Sequence, residues 1–390
     1  MARKPEYFTL ILAGILLALG LRILFTSFMS EDMRAALLPW YDTLRAQGVS
    51  ALGTDFSNYN PPYLYLLAIA AHLPIPGILA IKLFSFIGDF LLAYVVFLIL
   101  KSKDPHAQAI PLIGFFGTLF LPTVILNSTF WGQCDVLYTL FIFASLWSII
   151  QKRPGLSVAF YALSVAFKLQ AIFLAPLFIV LFLRRLIPFK TALVFPAVFI
   201  ATLIPAFILG RPILELLSIY PLQVTAYPYV SLNAPGVYEL FPGFSFQHPV
   251  VLGTIGTGIA FLSTIVIGWF LYKKRRWDTT TLLGAALLFS LIIPFFLPRM
   301  HERYFYPADI LALTFALYTR KNFVLPFLVG GASFLSYLPY LFGIPKDVIG
   351  PAAGFMAIAI IITLQEVVLP RRRGLVTNDS AVHNSERSEG

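Results

Sequence analysis

The clearest indication of this chain's architecture is the segment LLGAALLFSLIIPFFLPRMHERYFYPADI, residues 282–310. Its first part, 282–297, is an almost unbroken apolar run, and it leads into a dense cluster of ionisable and aromatic side chains at 299–306. A new apolar stretch begins at Ile310. Because hydrocarbon cannot solvate charge, ionisable groups between such runs are rare and usually functional. The segment therefore predicts a helical membrane protein with a functional site beside the end of a span.

Composition supports an integral membrane protein. The chain is 59% hydrophobic and 12% charged, whereas a soluble domain carries roughly 25% charged residues. The net charge of +10 comes from short basic clusters between apolar runs, which is typical of positive-inside loops rather than of nucleic-acid binding. The single cysteine, Cys134, excludes an internal disulfide framework and any site built from several cysteines.

Apolar runs and basic clusters together predict an all-α polytopic membrane protein, because each span needs about 20 apolar residues. We predict about twelve spans, at residues 8–28, 76–100, 107–127, 136–150, 155–168, 171–186, 191–209, 249–272, 279–297, 308–319, 322–342 and 348–369. Most of the basic clusters then fall on one side, which the positive-inside rule makes cytoplasmic, together with both termini. We expect one domain, 1–375, in a plasma or inner membrane, and a disordered cytoplasmic tail, 376–390, because that tail is polar.

Two segments leave the topology open. Residues 61–75 are apolar enough for a span, but a span there would place Lys101 and Lys103 outside, so we predict a helix at the external surface that begins at Asn60-Pro61-Pro62. At Phe167-Lys168-Leu169-Gln170 we predict that the chain reverses and faces an external cavity. The alternative is one longer, tilted helix with Lys168 inside it. Lys82 and Asp89 lie seven residues apart in one span, and we expect them to form a structural pair.

The external ends of the predicted spans hold most of the unusual polar residues, and the first external loop, about 29–75, is the longest. An amphipathic segment around Trp40 in this loop predicts an interfacial helix. The candidate site residues are Glu31, Asp32, Asn58, Tyr59, Asn60, Trp131, Gln133, Asp135, Lys168, Gln170, Arg299, His301, Glu302, Arg303, Tyr304 and Tyr306.

These residue types have complementary chemistry. A carboxylate can act as a general base, and Arg, Lys and His bind phosphate, with Arg able to bind it through two parallel hydrogen bonds. Aromatic faces and side-chain amides suit a sugar. An acid, phosphate-binding bases and sugar-binding aromatics at one membrane face indicate glycosyl transfer from a lipid-phosphate sugar.

The same motifs resemble a family. These are Asp32 after the first span, Tyr59-Asn60-Pro61-Pro62-Tyr63, Trp131-Gly132-Gln133 with Asp135, Phe167-Lys168-Leu169-Gln170, and His301-Glu302-Arg303-Tyr304 with Tyr306-Pro307. In order and spacing they resemble the GT-C superfamily of membrane glycosyltransferases. Within it they are most similar to bacterial and archaeal relatives of the mannosyltransferase that adds the second mannose of GPI anchors. The resemblance covers about residues 1–310.

The resemblance implies a GT-C-like helical bundle and an inverting transfer of a hexose, mannose favoured, from a polyprenyl-phosphate donor to a lipid or glycan acceptor. An acid early in the first external loop is the catalytic base of the superfamily, and Asp32 occupies that place. Glu31, its immediate neighbour, is the second catalytic candidate, because the superfamily often has a pair of acids at this point. Adjacent side chains point in different directions, which leaves the contribution of Glu31 open. No cofactor is expected, and a divalent metal is not favoured, because no spacing motif calls for one.

For the cluster at 299–306 we expect Arg299, His301 and Arg303 to bind the donor phosphate while Glu302 orients them. We expect Lys168 to be a further phosphate contact. The residues expected to contact sugar or acceptor are Asn58, Tyr59, Asn60, Trp131, Gln133, Asp135, Gln170, Tyr304 and Tyr306.

Several alternatives remain. Asp32 could instead cap the helix of the first loop, and the cluster at 299–306 could be an interfacial belt of snorkelling charges and tyrosines. At the level of function, the alternatives are a transporter or flippase of lipid-linked glycans and a glycan polymerase or ligase. A transporter needs a site near mid-membrane, whereas the polar residues here fall on one side.

Overall fold

The computed structural model of the chain describes residues 4–225 and 229–368, and within them the chain is almost entirely helical. The predicted tail at 376–390 lies outside the described residues. A single small sheet occurs in the described chain, in which β1 (Ser231–Leu232) pairs in parallel with β2 (Met300–His301). The expected all-α architecture is therefore confirmed.

The helices follow one another with short connections. They are α1 (Lys4–Leu24), α2 (Leu38–Gln47), α3 (Pro61–Ala71), α4 (Gly77–Lys101), α5 (Ala109–Leu119), α6 (Pro122–Ile125), α7 (Asp135–Ile150), α8 (Pro154–Phe167), α9 (Ala175–Leu183), α10 (Val194–Ile208), α11 (Ile213–Thr225), α12 (Pro242–Gln247), α13 (Pro249–Lys273), α14 (Thr279–Phe296), α15 (Tyr306–Thr319), α16 (Leu325–Phe342) and α17 (Ile349–Val367). Two π-helical segments, Met33–Leu37 and Leu126–Trp131, join helices. The 3₁₀ segments are Gly48–Gly53, Leu169–Leu174, Phe189–Leu193, Val237–Leu240, Glu302–Phe305 and Lys346–Val348.

Six helices among the described residues are long and apolar enough to span a membrane. They are Gly77–Lys101, Phe189–Ile208, Pro249–Lys273, Thr279–Phe296, Leu325–Phe342 and Lys346–Val367. A seventh span results if Ala109–Leu119 and Pro122–Trp131, which are bent by 42°, are taken together. The predicted count of about twelve spans is not confirmed, because several of the predicted spans are apolar helices of only 10–17 residues, among them α7 and α8.

α14 lies at the centre of the bundle. In the most apolar 18 residues of α14, 83% of the segment is buried, whereas in those of α13 only 17% is buried. A helix that is apolar all round and packed on every side belongs to a core, whereas the exposed apolar side chains of α13 suit contact with lipid. α13, α15 and α17 pack around α14. Because α14 is surrounded by other helices and ends at Phe296, the charged cluster at 299–306 that follows it lies among the loops of those helices.

A buried ion pair connects the first two long helices. Arg22 of α1 donates through Nε to Oδ2 of Asp89 on α4 at 2.8 Å, and Ser128 donates to the same oxygen at 2.7 Å. Lys82 instead donates from Nζ to the carbonyl oxygens of Thr26 and Phe28, at 2.8 and 2.7 Å. The expected pairing of Lys82 with Asp89 is therefore wrong, because each side chain finds a closer partner on a neighbouring element.

The chain reverses at Lys168, as predicted. α8 ends at Phe167, Lys168 is extended (φ −155°), and a 3₁₀ segment leads into α9. The start of α8 and the end of α9 lie close together, because Pro154 and Arg185 line the same cavity. The two helices therefore run in opposite directions. The helix predicted from Asn60-Pro61-Pro62 is also present as α3, and most of its side chains are buried against neighbouring helices.

Candidate functional site

A cavity of about 160 Å³ lies beside the amino end of the 3₁₀ segment that precedes α15. Most of the predicted site residues line it, although they come from distant parts of the chain. The predicted residues in its lining are Asp32, Asn58, Tyr59, Asn60, Gln133, Lys168, Gln170, His301, Arg303 and Tyr304. Ala36, Leu37, Trp40, Phe167, Tyr220 and Gln223 complete the lining. The structure therefore brings together four loops that are separate in sequence.

Asp32 is the most heavily hydrogen-bonded group at the cavity. Its Oδ2 accepts from Trp131 Nε1 at 2.8 Å and from Gln133 Nε2 at 2.7 Å, and its Oδ1 accepts from the Tyr340 hydroxyl at 2.6 Å. A carboxylate has about four acceptor positions. Among the described residues, these bonds leave one acceptor position on Oδ1 without a donor.

Asp32 does not cap a helix, although it precedes the π-helical segment Met33–Leu37. Its side chain makes no cap hydrogen bond there, so the capping alternative is not supported. Burial opposes ionisation of Asp32, but the Arg303 guanidinium and the hydrogen bond from Tyr340 outweigh it, and the pKa of this carboxyl lies below its usual range. Its side chain is 28% exposed. Asp32 is thus an ionised carboxylate that is fixed in place and still accessible.

The turn Trp131-Gly132-Gln133 explains how two donors reach one oxygen. Gly132 has φ +77°, and a Cβ at this position would lie 2.3 Å from Cε of Met33. The left-handed conformation of glycine lets the flanking side chains point to the same side. The Tyr59 hydroxyl donates to Oε1 of Gln133 at 2.9 Å, which fixes the amide with its NH₂ towards Asp32. Gln133 therefore orients Asp32 through a relay that begins at Tyr59.

Arg303 connects three carboxylates. Its guanidinium nitrogens lie 3.1 Å from Oε1 of Glu302, 3.5 Å from Oδ2 of Asp32 and 3.7 Å from Oδ2 of Asp135. Its Cζ lies 5.1 Å from the centroid of the Trp131 ring, a distance typical of cation–π contact. Burial opposes the charge, but the three carboxylates outweigh it and the pKa of Arg303 lies well above its usual value. The prediction that Glu302 orients arginine agrees with this geometry for Arg303.

Asp135 and Lys168 form a buried ion pair. Lys168 Nζ donates to Oδ1 of Asp135, and Asn127 Nδ2 donates to Oδ2 at 2.8 Å. Lys168 also lies over the Tyr59 ring, with Nζ 5.6 Å from its centroid. Asp135 is buried and does not line the cavity, so its predicted contact with sugar or acceptor is replaced by a contact with Lys168. The extended backbone at Lys168 is what carries the ammonium group to this position.

Burial changes the charge states of the two residues before Arg303. Burial and then the Arg303 charge lower the pKa of His301 to about 3, so its imidazole is neutral at physiological pH and acts as a hydrogen-bonding group rather than a cation. Burial raises the pKa of Glu302 to about 7, in spite of the opposing effect of Arg303. The predicted contact of His301 with a donor phosphate would therefore be made by a neutral imidazole.

Besides Asp135, Arg299 and Glu302, three further predicted residues are absent from the lining of the cavity. Glu31 is exposed, because successive residues of the helical turn point in different directions, and it is absent from the lining. Tyr306 is fully buried as the first residue of α15. Trp131 also lies behind the lining, where it is buried and acts through its bond to Asp32. None of the three therefore forms part of the cavity wall, and their predicted roles in catalysis and in contact with sugar or acceptor stay predictions.

Arg299 lines a second, mainly apolar cavity of about 360 Å³. Gln170, Gln223 and Tyr304 line both cavities, so the two adjoin. Leu169, Ile172, Phe173, Thr257, Leu297, Pro298, Arg299 and Met300 form the rest of the apolar groove, the name we use for this second cavity. Arg299 is exposed and has φ +63°. It thus lies at the groove rather than beside Asp32.

The remaining predicted residues shape the cavity wall. Asn60 donates from Nδ2 to the carbonyl oxygen of Ala166 at 3.0 Å, which ties the first long loop to α8. Asn58 accepts at its backbone oxygen from Gln223. Gln170 is buried, and its Oε1 has no hydrogen-bond partner among the described residues. Tyr304 packs against His301, with ring centroids 5.2 Å apart.

Four residues with hydrogen-bonding side chains at the site had not been predicted as site residues. Tyr340 lies inside a predicted span, where nothing but its hydroxyl distinguishes it from core aromatics. Trp40 had been predicted as part of an interfacial helix, and it packs against Tyr59 with centroids 5.1 Å apart and ring planes inclined by 55°. Tyr220 and Gln223 belong to α11. In the sequence, only their polar side chains near the end of an apolar helix could have indicated a role at the site.

The described residues include no group of three or more His, Cys, Asp or Glu side chains arranged to hold a metal ion. Compared with models of known protein families, the chain matches none, and a search among curated proteins finds no similar sequence.

Proposed function

We propose that this chain is an integral membrane glycosyltransferase that moves a hexose, mannose favoured, from a polyprenyl-phosphate donor to a lipid or glycan acceptor, with inversion. The observation that carries the proposal is the arrangement around Asp32. An ionised carboxylate with one available acceptor position lies 3.5 Å from a guanidinium group, in a polar cavity next to an apolar groove. In this proposal the site faces the external side of the plasma or inner membrane, and both termini are cytoplasmic.

The proposed reaction is a single displacement. The acceptor hydroxyl attacks the anomeric carbon, Asp32 takes the hydroxyl proton at Oδ1, and the bond between that carbon and the phosphate oxygen breaks. The phosphate leaves with the electron pair. The hydroxyl proton becomes strongly acidic as its oxygen bonds to carbon, so a carboxylate of low pKa is able to accept it. Preorganised donors around Asp32 favour this outcome because they need no rearrangement during the reaction.

The leaving phosphate needs positive charge near the groove. Arg303 and Lys168 line the polar cavity, and Arg299 lines the groove that adjoins it. Stabilisation of charge where it develops is usually the largest catalytic term. The neutral His301 adds a hydrogen-bonding group rather than a charge. The apolar side chains of the groove suit the isoprenoid chain of the donor, so that the phosphate lies at the boundary of the two cavities.

The test is a transfer assay with purified protein in detergent. We would supply polyprenyl-phosphate mannose, glucose, galactose and arabinose in parallel, together with membrane lipid extracts as acceptors, and follow consumption of each donor by mass spectrometry. Asp32→Asn should remain folded and lose transfer by about 1,000-fold, because the amide cannot take a proton. Glu31→Gln is the matched control, since it removes the neighbouring exposed carboxylate, and it should retain activity within about twofold.

The outcome also separates the proposal from transport. A transferase makes a new glycosidic bond in detergent, whereas a flippase or transporter leaves every donor intact there. Full transfer activity of Asp32→Asn would refute the role of Asp32 as base. Consumption of none of the four donors by the unaltered protein would count against the proposed function as a whole.

A further inference from the structure

A large basic cavity lies at the end of the bundle opposite the candidate site. It has a volume of about 620 Å³ and surrounds the amino end of α14, whose other end leads to the site. α14 has 18 residues, so the two ends are about 27 Å apart at 1.5 Å per residue. This volume is within the range of ligand-binding pockets. We call it the basic cavity.

The charge of the basic cavity is strongly one-sided. Five cations from three separate parts of the chain line it, and its two acidic residues are Asp278 and Glu366. The cations are Lys103, Lys273, Lys274, Arg276 and Lys321. Asp278 already accepts a hydrogen bond of 2.8 Å from the backbone N–H of Thr281, as the cap of α14. The cavity therefore has an excess of positive charge beside a helix amino terminus, an arrangement that favours an anion.

Two of the lysines act mainly in the walls. Lys103 Nζ donates to the carbonyl oxygen of Tyr318, and Lys274 Nζ donates to that of Val367 at 2.6 Å. These bonds hold α15 and α17 to neighbouring elements around the opening. By contrast, the side chains of Arg276 and Lys321 are exposed, and among the described residues they have no hydrogen-bond or ion-pair partner. The fifth cation, Lys273, lies over the Trp269 ring, with Nζ 4.6 Å from its centroid. Arg276 and Lys321, from different loops, are therefore the cations left to bind an anion.

The cavity also has an apolar side. Phe270, Phe315, Val367 and Val368 line it, and Phe270 is 51% exposed. Phe270 belongs to α13, and only 17% of the most apolar segment of that helix is buried. This side of the cavity therefore opens towards the lipid-facing surface. A soluble phosphate would gain nothing from these side chains. A ligand with an anionic head and an apolar body matches both sides.

We propose that the basic cavity binds the phosphodiester headgroup of an anionic membrane phospholipid. The phosphate lies between Arg276 and Lys321, and the first part of the acyl chains lies against Phe270. Basic pockets between membrane helices are known to suit such headgroups, and a cation near an anionic lipid surface contributes about 1 kcal/mol. This proposal does not depend on the proposed transferase activity, because it concerns residues at the other end of the bundle.

The test uses native mass spectrometry of the purified full chain in detergent, titrated with phosphatidylglycerol and, separately, with zwitterionic phosphatidylcholine. One phosphatidylglycerol should be retained per chain, with at least tenfold preference over phosphatidylcholine. The double variant Arg276→Gln/Lys321→Gln should weaken phosphatidylglycerol binding about 30-fold, as two cations of about 1 kcal/mol each imply. The matched control, Arg153→Gln/Lys190→Gln, removes two exposed cations at the same end but outside the cavity, and should change affinity less than twofold.

Three results would overturn the proposal. These are equal retention of the two phospholipids, equal weakening by the two double variants, and binding of sn-glycerol 3-phosphate as tightly as phosphatidylglycerol. The last result would identify a soluble phosphate as the ligand, and the second would indicate a diffuse positive-inside effect. The comparison of the two phospholipids uses the unaltered protein, so it tests the proposal even if a variant fails to fold.

Discussion

The hydroxyl of Tyr340 donates a 2.6 Å hydrogen bond to Oδ1 of Asp32 and accepts a 3.0 Å hydrogen bond from the backbone N–H of the same residue. The ring of Tyr340 stacks on Trp131, with centroids 4.6 Å apart and planes inclined by 12°. Trp131 itself donates to the other carboxylate oxygen of Asp32. α16 therefore fixes both the rotamer and the backbone of the residue that we propose as the base.

Tyr340→Phe should lower transfer about 10- to 100-fold with little loss of folding stability. The variant removes a donor that holds the Asp32 carboxylate, so the pKa of Asp32 should rise and the acid limb of the pH–rate profile should move to higher pH. A measurement of kcat/KM against pH checks both effects.

Tyr337→Phe is the matched control for Tyr340→Phe. Tyr337 lies one turn earlier on α16, and its buried hydroxyl has no hydrogen-bond partner among the described residues. We expect unchanged kcat/KM and an unchanged pH profile. Equal loss of activity in the two variants would indicate a general packing defect of α16 rather than a specific role of Tyr340.

The pair of Lys168 and Asp135 should behave as a coupled unit. Lys168→Met leaves Asp135 buried without its main partner, and loss of one member of a buried ion pair typically costs 3–5 kcal/mol. Arg303 remains 3.7 Å from Asp135, so we expect a loss of about 2 kcal/mol in the free energy of unfolding, measured by denaturation in mixed micelles. The double variant Lys168→Met/Asp135→Asn should be more stable than Lys168→Met alone.

A loss in the double variant equal to the sum of the two single losses would show that the two residues are independent. Lys190→Met serves as control, because it removes an exposed lysine, and its free energy of unfolding should change by less than about 0.5 kcal/mol.

Gly132→Ala should reduce activity although it removes no polar group. The left-handed backbone at φ +77° disfavours a side chain, and the new methyl would meet Met33. We expect a loss of about 1–2 kcal/mol in the free energy of unfolding and a lower kcat, because Trp131 and Gln133 no longer converge on Asp32. Gly155→Ala is the control, since no atom lies within 4 Å of its added Cβ. It should leave kcat and stability unchanged.

Glu302 should make folding stability depend on pH near neutrality. Burial raises its folded-state pKa from 4.5 to about 7, so between these pH values the folded protein binds more protons than the unfolded chain. The free energy of unfolding should therefore fall as pH rises from about 4.5 to about 7. Glu302→Gln should flatten this part of the curve, whereas Glu215→Gln, at an exposed carboxylate, should leave it unchanged.

Glu302 should also affect donor binding. When Glu302 is protonated, Arg303 has one negative neighbour fewer and can better attract a phosphate. The donor KM should therefore increase as pH rises through about 7, and this increase should be absent in Glu302→Gln. A pH-independent KM in the unaltered protein would contradict this coupling.

Several features of the site could be predicted from local sequence. The reversal at Lys168 was predicted because the two apolar runs that meet there, 155–168 and 171–186, are each short for a membrane span. α3 begins at the proline pair, because proline suits the first turn of a helix. Asp32 stands out because a carboxylate directly after an apolar helix is costly unless it is used. By contrast, the count of about twelve spans is not confirmed, because apolar runs buried inside protein and apolar runs that cross lipid have similar composition.

The sequence by itself determined that the chain is helical and apolar, where most helices begin, and which residue types are available for chemistry, because these properties follow from local periodicity and composition. Only the tertiary structure decided that Tyr340 holds Asp32 and that Lys168 pairs with Asp135. It alone also separated Arg299 from the cavity and made His301 neutral. The reason is physical: hydrogen bonding and desolvation depend on which atoms meet across hundreds of residues, and packing of the whole bundle determines those distances.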